Sequence, residues 1–448
     1  MSDHWFQKRL SRRDILKAAA VAAGSTAIPS ILAACAPSTP STPAGGGTPA
    51  VAKSQELHFL SQVMFVPEQD KEEDRQFAEW SQQSKVKVTA ERVNQTELQP
   101  RIAAAIQAKA GPDIIELEYD WAWLYGNALA DVTDVAQKIT KEQGAFFGAL
   151  DAEAKVSGVY KAVPHLMQPV LFAYRTDYFQ QAGAIIPKTW DEYLTLAKTM
   201  KKFGKPVGQA LGHSPADPNT FWYSWLWAHG GKEVEQDGKT VAINSPETVT
   251  AVEKAVEVYP YFIDGTIAWD DSSNNRIFLA GGLSATVNAA SIYVVGQQQF
   301  PQVAAVTDHF NWPSGPAGTF AVNNEYSFCI PSYSKNQDAA KELLSYIMAK
   351  PQLEKWVSVG KGFQTGPTPA WADDPVYTTD PKMKAFQQEL KTVKEGWWGW
   401  PANPSAAAAQ TVVQYVIVDM FAKACAGEYK PADAVKWAEG QLKGIYKS

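Results

Sequence analysis

The stretch "EGWWGWPANP" sets Trp397, Trp398 and Trp400 within four positions, among Gly396, Gly399, Pro401 and Pro404. A covered indole buries roughly 150–250 Å². Rings crowded onto a segment too rich in Gly and Pro for a regular element therefore pack beneath something or face something. A second group, Trp222, Trp225 and Trp227, lies in "FWYSWLWAHGG", where a spacing of three puts the first two on one helical face, the usual pattern of a core stripe. Asp120 and Trp121 stand side by side after an apolar run, and an Asp there also suits a helix N-cap. These residue types offer contact and hydrogen bonding rather than bond making.

Signals for bond making are missing. His165, His213, His229 and His309 have no metal-ligand spacing, and neither His-Glu-x-x-His nor a Gly-x-Ser-x-Gly elbow occurs. The Gly run at 45–47 has no strand or helix signal around it, as a phosphate loop requires. No cofactor and no metal site is expected. The adjacent carboxylates Asp270 and Asp271 suit a solvated turn better than a catalytic pair. The net charge of −6 becomes more negative once the basic N-terminal segment is set aside, which argues against nucleic acid as a partner.

That N-terminal segment carries its own signal. "SRRDILK", Ser11 to Lys17, precedes an Ala-rich apolar stretch too short and too weakly apolar to span a membrane, and it reads as a twin-arginine export signal. The stretch ends in "LAAC", which resembles the lipobox of bacterial lipoproteins. By that resemblance residues 1–34 are a signal peptide, Cys35 is the lipidated residue, and the protein is exported and lipid-anchored on the outer face of the cytoplasmic membrane. Two or three acyl chains, at about 0.8 kcal/mol per buried methylene, hold a protein on a membrane that one chain only visits. Residues 35–54, rich in Pro, Ser, Thr and Gly, read as a disordered tether. Cys329 and Cys425 then remain, and a bridge between them is open in an exported chain.

Elements able to position the rings follow from residue 55 onward. Strand-like "ELHFL" (56–60), a helix around 68–84, alternating "KVKVTAERV" (85–93), a helix around 96–109 and apolar "GPDIIEL" (111–117) alternate as in an α/β protein. "TWDEYLTLAKTMKKFG" (189–204) has a Thr189/Glu192 capping box and a Gly204 stop, with Trp190, Tyr193, Leu194, Ala197 and Met200 along one face. Further helices are expected at 245–259 behind Ser245 and Pro246, at 334–350, at about 405–425 and at 431–446.

Five blocks, in order, resemble the extracellular solute-binding proteins of ABC importers, in particular the carbohydrate-binding, maltose-binding-protein-like group. They are "GPDIIELEYDWAWLYGNALADVTD" (111–134), "GVYKAVPHLMQPVLFAYRTDYFQQAG" (158–183), "IPKTWDEYLTLAKTMKK" (186–202), "RIFLAGGLSATVNAASIY" (276–293) and "NNEYSFCIPSYSKNQDAAKELLSYI" (323–347). Arg175 and Thr176 depart from the usual Asn-Lys of the second block. The resemblance implies a two-lobe α/β fold of the periplasmic-binding-protein kind, with a hinge and an interlobe ligand cleft; hinge closure of such proteins is a known motion. Lobe 1 is expected at 55–165 plus about 315–362, and lobe 2 at 166–314 plus about 363–448. Pro164 and Pro169 bracket a place where chain direction is fixed.

The resemblance also implies site residues. Asp120 stands where relatives hold a hydroxyl-binding carboxylate, with Trp121 beside it. Gln168 falls at a polar hinge position, Gln62 ends the first strand, and Trp222 is the site member of its group. Asn288 and Ser291 match a ligand-contacting loop, although relatives often carry an aromatic where Ser291 stands. Trp397, Trp398 and Trp400 fall where an aromatic stacks on the ligand, with one or two expected to touch it and one to pack beneath. Sugars, with flat C–H faces between hydroxyl rims, call for such plates edged by carboxylates and amides. The expected protein is thus a monomeric binding protein, not an enzyme, with a carbohydrate ligand and an ABC permease as partners. The alternatives are a polyamine or glycerol phosphate in the same fold, or a secreted glycoside hydrolase with two carboxylates across a scissile bond.

Overall fold

The computed structural model describes residues 56–392 and 397–447. The expected signal peptide, Cys35 and the whole of the expected tether lie outside the described residues.

Two sheets organise the chain. The first has the order β2-β1-β3-β10-β6, from β1 (Glu56–Gln62), β2 (Lys87–Val93), β3 (Ile114–Glu118), β6 (Val163–Gln168) and β10 (Asn324–Cys329). β1 runs parallel to β2 and β3, whereas β10 inserts antiparallel between β3 and β6. Helices Pro67–Ser84 and Gln95–Ala108 make the parallel crossovers. A short hairpin pairs β4 (Lys155–Val156) with β5 (Val159–Tyr160). The second sheet is antiparallel, order β8-β7-β9, from β7 (Leu171–Arg175), β8 (Ala285–Asn288) and β9 (Thr307–Phe310). β3, β6, β7, β8 and β10 are buried along their whole length, although β3 (IIELE) and β10 (NEYSFC) carry acidic and amide side chains into that burial.

Only Pro169 and Val170 separate β6 from β7, so the chain steps directly from one sheet to the other. Proline fixes the direction of that step. The Val170 N–H donates to Asn323 Oδ1 (3.0 Å), and its carbonyl accepts from Trp312 Nε1 (2.8 Å). β6 continues to Gln168 within the first sheet, so a lobe boundary after residue 165 cuts a strand. The register of β6 against β10 shifts around Pro164, which lacks the ladder donor.

Local signals are realised closely at the helix ends. The Thr189 hydroxyl accepts from the Glu192 N–H (3.2 Å), Glu192 returns a bond to the Thr189 N–H (3.3 Å), and Gly204 closes helix Trp190–Phe203 at φ +83°. The expected helix over 405–425 is instead two, Ala406–Val413 and Val416–Cys425, broken at Tyr415, which sits at φ +55°. Nothing in the local sequence marks that break, since neither Gly nor Pro is present. Cys329 and Cys425 are free thiols. Among the described residues no helix is long and apolar enough to cross a membrane.

Candidate functional site

The carboxyl end of β3 builds the site. "DIIELEYD" (113–120) runs into it with Glu116, Glu118 and Asp120 at period two, all fully buried. Tyr119 leaves the strand at φ +52°, a left-handed conformation that a bulky residue seldom adopts and that tends to gather at functional sites. Its ring is buried, and its hydroxyl donates to Asn324 Oδ1 (3.0 Å). Asn324 also accepts from Thr220 Oγ1 (3.1 Å) and donates to Gln168 Oε1 (2.5 Å). One amide thereby ties β3, β6, β10 and helix Asp217–Ala228 together where the two sheets meet.

A cavity of about 240 Å³ opens at this junction. Tyr119, Trp121, Thr96 and Gln99 line one side, His213, Pro215 and Asn219 the other, and Val412, Val413 and Tyr415 close it. Tyr415 is the second left-handed tyrosine lining the cavity; its ring stacks on His213 with centroids 4.5 Å apart and planes 8° from parallel. The hydrogen bond that His213 Nε2 donates to Asp419 Oδ1 (2.8 Å) raises the His213 pKa. Thr96 also borders a neighbouring cavity lined by Gln95, Ser214, Asp270 and Asp271, so the groove continues between the sheets.

Polar atoms around this junction lack partners. Neither oxygen of Asp120 or of Glu153 accepts a hydrogen bond, and Glu118 Oε2, Trp121 Nε1 and Asn219 Oδ1 are likewise buried and unpaired. A protein seldom leaves buried polar atoms so, at about 1–3 kcal/mol each, unless something else completes them. Burial pushes the carboxyls of Asp120, Glu118 and Glu153 well above the usual range, with neighbouring carboxylates adding to the shift. Glu233 is raised less, to about 7, because Tyr446 (2.6 Å) and Tyr223 (3.1 Å) both donate to it.

The expected ligand residues divide. Asp120 and Trp121 stand at the junction, and Trp398, only 1% exposed, meets Tyr119 and Tyr223 edge-on at 4.9 Å each. Gln168 is spent on the Asn324 bond and lies at the sheet-to-sheet step. Gln62 is buried at the end of β1, where its N–H donates to Glu116 Oε2 (3.0 Å). Asn288 and Ser291 satisfy each other (2.8 Å) and Asn275 (2.6 and 3.0 Å), a closed set of small polar groups. Trp222 is a core residue: its indole N–H bonds the Ala210 carbonyl (2.9 Å) and its ring stacks on Phe421. Trp225 and Trp227 are equally buried. Trp397 donates to the Ala402 carbonyl of its own loop, and Trp400 packs on Trp227 and Phe320.

Sequence reading missed Tyr119, Glu153, Asn219, Glu325 and Tyr415. The acidic alternation at 116, 118 and 120 inside an apolar run was a usable signal. The others meet only through the fold.

Residues 75–385 match the family model of the bacterial extracellular solute-binding protein, and the chain belongs to that family. Solved structures share its two-lobe fold. A sugar transporter from Arthrobacter chlorophenolicus A6 with bound laminaribiose superposes with a TM-score of 0.76 at 17% identity, covering 87% of this chain and 99% of that one. The GacH receptor of Streptomyces glaucescens GLA.O, solved unliganded and with acarbose, gives 0.74 at 18%, covering 88% and 99%. Maltose-bound T. maritima MalE3 gives 0.73 at 21%, covering 87% and 99%.

Proposed function

We propose that this solute-binding protein captures a carbohydrate between its two lobes and hands it to the permease of an ABC importer. The observation that carries the reading is the junction itself, where Trp121 and Asn219, each with a buried unpaired polar atom, line a cavity together with Tyr119 and Tyr415, and the unpaired Asp120 stands between Tyr119 and Trp121 in the chain. Rings supply flat apolar faces and the unpaired atoms supply the edges that hydroxyls need. The sugars named for the structural neighbours support the same class.

In this reading the Pro169–Val170 step and the return of the chain from β9 to β10 act as the hinge. Closure brings Asn219 and Tyr415 over Tyr119 and Trp121. The acids at the junction bind the ligand and do not turn it over, in keeping with a family of solute-binding proteins. The lipidated Cys35 would keep the protein beside its permease.

The test is a carbohydrate panel against the purified chain, followed by tryptophan fluorescence and thermal shift. A bound sugar at a hundred times its Kd stabilises the folded state by about 2.7 kcal/mol and is recovered unchanged. Absence of any shift across mono- and oligosaccharides, or appearance of hydrolysis products, rejects the reading.

A further inference from the structure

We propose that the groove holds two linked sugar units, one in each of two chambers, and that Thr96, the residue common to both chambers, governs whether a ligand extends from the first into the second. The inference rests on the carbohydrate reading above and adds to it the length of the ligand and a residue that selects that length.

The chambers meet at a waist. The first, of about 240 Å³, is walled by Tyr119, Trp121 and Tyr415; the second, of about 280 Å³, lies between Val63, Met64, Phe65 and Gln95 and the turn Asp270–Ser272. Thr96 lines both. Three consecutive residues divide between them: His213 and Pro215 line the first chamber and Ser214 the second, so a single stretch of chain parts the two spaces. Neither chamber reaches the roughly 300 Å³ at which sites for drug-sized ligands begin, whereas the two together pass it.

Both sides of the waist are held in place. Asn94 caps helix Gln95–Ala108, and its Oδ1 accepts from the Thr96 N–H (3.1 Å) and from the Thr96 hydroxyl (2.8 Å), which fixes that side chain at the divide. Ser214 Oγ accepts from the Asp271 N–H (3.0 Å), while the Asp271 carboxylate takes the N–H groups of Ala216 (3.1 Å) and Asp217 (2.7 Å). A waist braced by caps and turns on both sides has a width set by the fold, so the bulk of residue 96 decides what passes.

Each chamber is lined by a residue with a buried polar atom that lacks a partner. Trp121 Nε1, a donor, and Asn219 Oδ1, an acceptor, belong to the first; Gln95 Oε1, an acceptor on a residue 6% exposed, belongs to the second. Gln95 donates its amide nitrogen to Glu118 Oε1 (3.0 Å), so the oxygen is what it offers a ligand. Buried acceptors are seldom left bare. One sugar confined to the first chamber leaves Gln95 so, whereas a second unit brings hydroxyl donors to it. The second chamber has the ring of Phe65 alone, against those of Tyr119, Trp121 and Tyr415 in the first. The first unit is therefore held by ring faces and the second by its hydroxyl edges.

The test titrates the purified chain by calorimetry with glucose, galactose, mannose and xylose and with the linked dimers of each. At least one dimer is expected to bind roughly tenfold or more tighter than its own monomer, the gain that two net hydrogen bonds of ordinary strength provide. Val63→Trp, at a half-exposed residue of the second chamber, and Thr96→Trp at the waist, each checked by circular dichroism for an intact fold, should bring that ratio down to near one. Ile185→Trp, 72% exposed on the open surface, should keep it. A dimer advantage below tenfold, or one that survives either blocking variant, overturns the second chamber and leaves the carbohydrate reading standing. Binding of no sugar of either length overturns the proposal and the carbohydrate reading alike. The wild-type comparison of monomer with dimer decides the matter even where a variant fails to fold.

Discussion

At the scale of single residues, the three tryptophans of the opening stretch do three different things. Trp398 fills the space between Tyr119 and Tyr223, so Trp398→Ala removes a buried ring and should cost about 3–5 kcal/mol in denaturant unfolding, together with ligand affinity. Trp397→Ala loses one bond to its own loop and should cost about 1 kcal/mol while leaving affinity unchanged; a loss of affinity would put its ring in the cleft. Gly399, at φ +85°, is needed between Trp398 and Trp400 because a Cβ there would come within 2.7 Å of the Ala408 Cβ. Tyr415 gives the sharper case. Its left-handed backbone costs about 1–3 kcal/mol, and Asn tolerates that conformation far better. Tyr415→Asn is therefore expected to hold or raise the melting temperature while weakening ligand binding; a drop in melting temperature with unchanged affinity would make Tyr415 a packing residue. The sequence showed that aromatics and a carboxylate gather near Asp120. It did not show which rings are core, because Trp222 and Trp398 are equally buried and differ only in what their neighbours leave unpaired.

At the scale of elements, capping chemistry was legible and chain reversals were not. Thr189, Ser245 and Gly204 announce their helix ends through groups within three residues of one another, so a local reading suffices. The break at Tyr415 and the kink at Tyr119 are imposed by packing between distant segments and leave no local mark. The same applies to Asn324, whose three bonds link residues from 119 to 220. Asn324→Ala should weaken ligand binding by about 1–3 kcal/mol, since it leaves the Tyr119 and Thr220 hydroxyls without their shared acceptor. Titration calorimetry reads this directly, and unchanged affinity would detach the junction from binding.

At the scale of the whole molecule, the buried acids set how stability follows pH. Burial raises Glu116 to about 8, Glu73, Glu233 and Glu389 to about 7, and Asp271 to about 6. In the folded state these acids hold protons that the unfolded chain has released above its ordinary carboxyl range. Their contribution to stability is therefore full below that range and lost as pH rises through each folded value. His165 and His309, lowered by burial to about 3 and 4, act oppositely but only below about pH 6.5. Between pH 6.5 and 8.5 the acids act unopposed by these histidines, and the ligand-free protein should melt several degrees lower at the upper end. A flat or rising melting curve across that window would mean the acids are ionised in the fold.

Two sheets, one direct step between them, and a junction of unpaired atoms together describe a clamp for a donor-rich ligand. Titration calorimetry of the purified chain with the carbohydrate panel tests that most directly. The expected result is a saturable one-to-one heat with a polyhydroxylated ligand, recovered intact, and abolished by loss of the Asp120 carboxylate. No heat with any carbohydrate, or binding indifferent to Asp120, would contradict it.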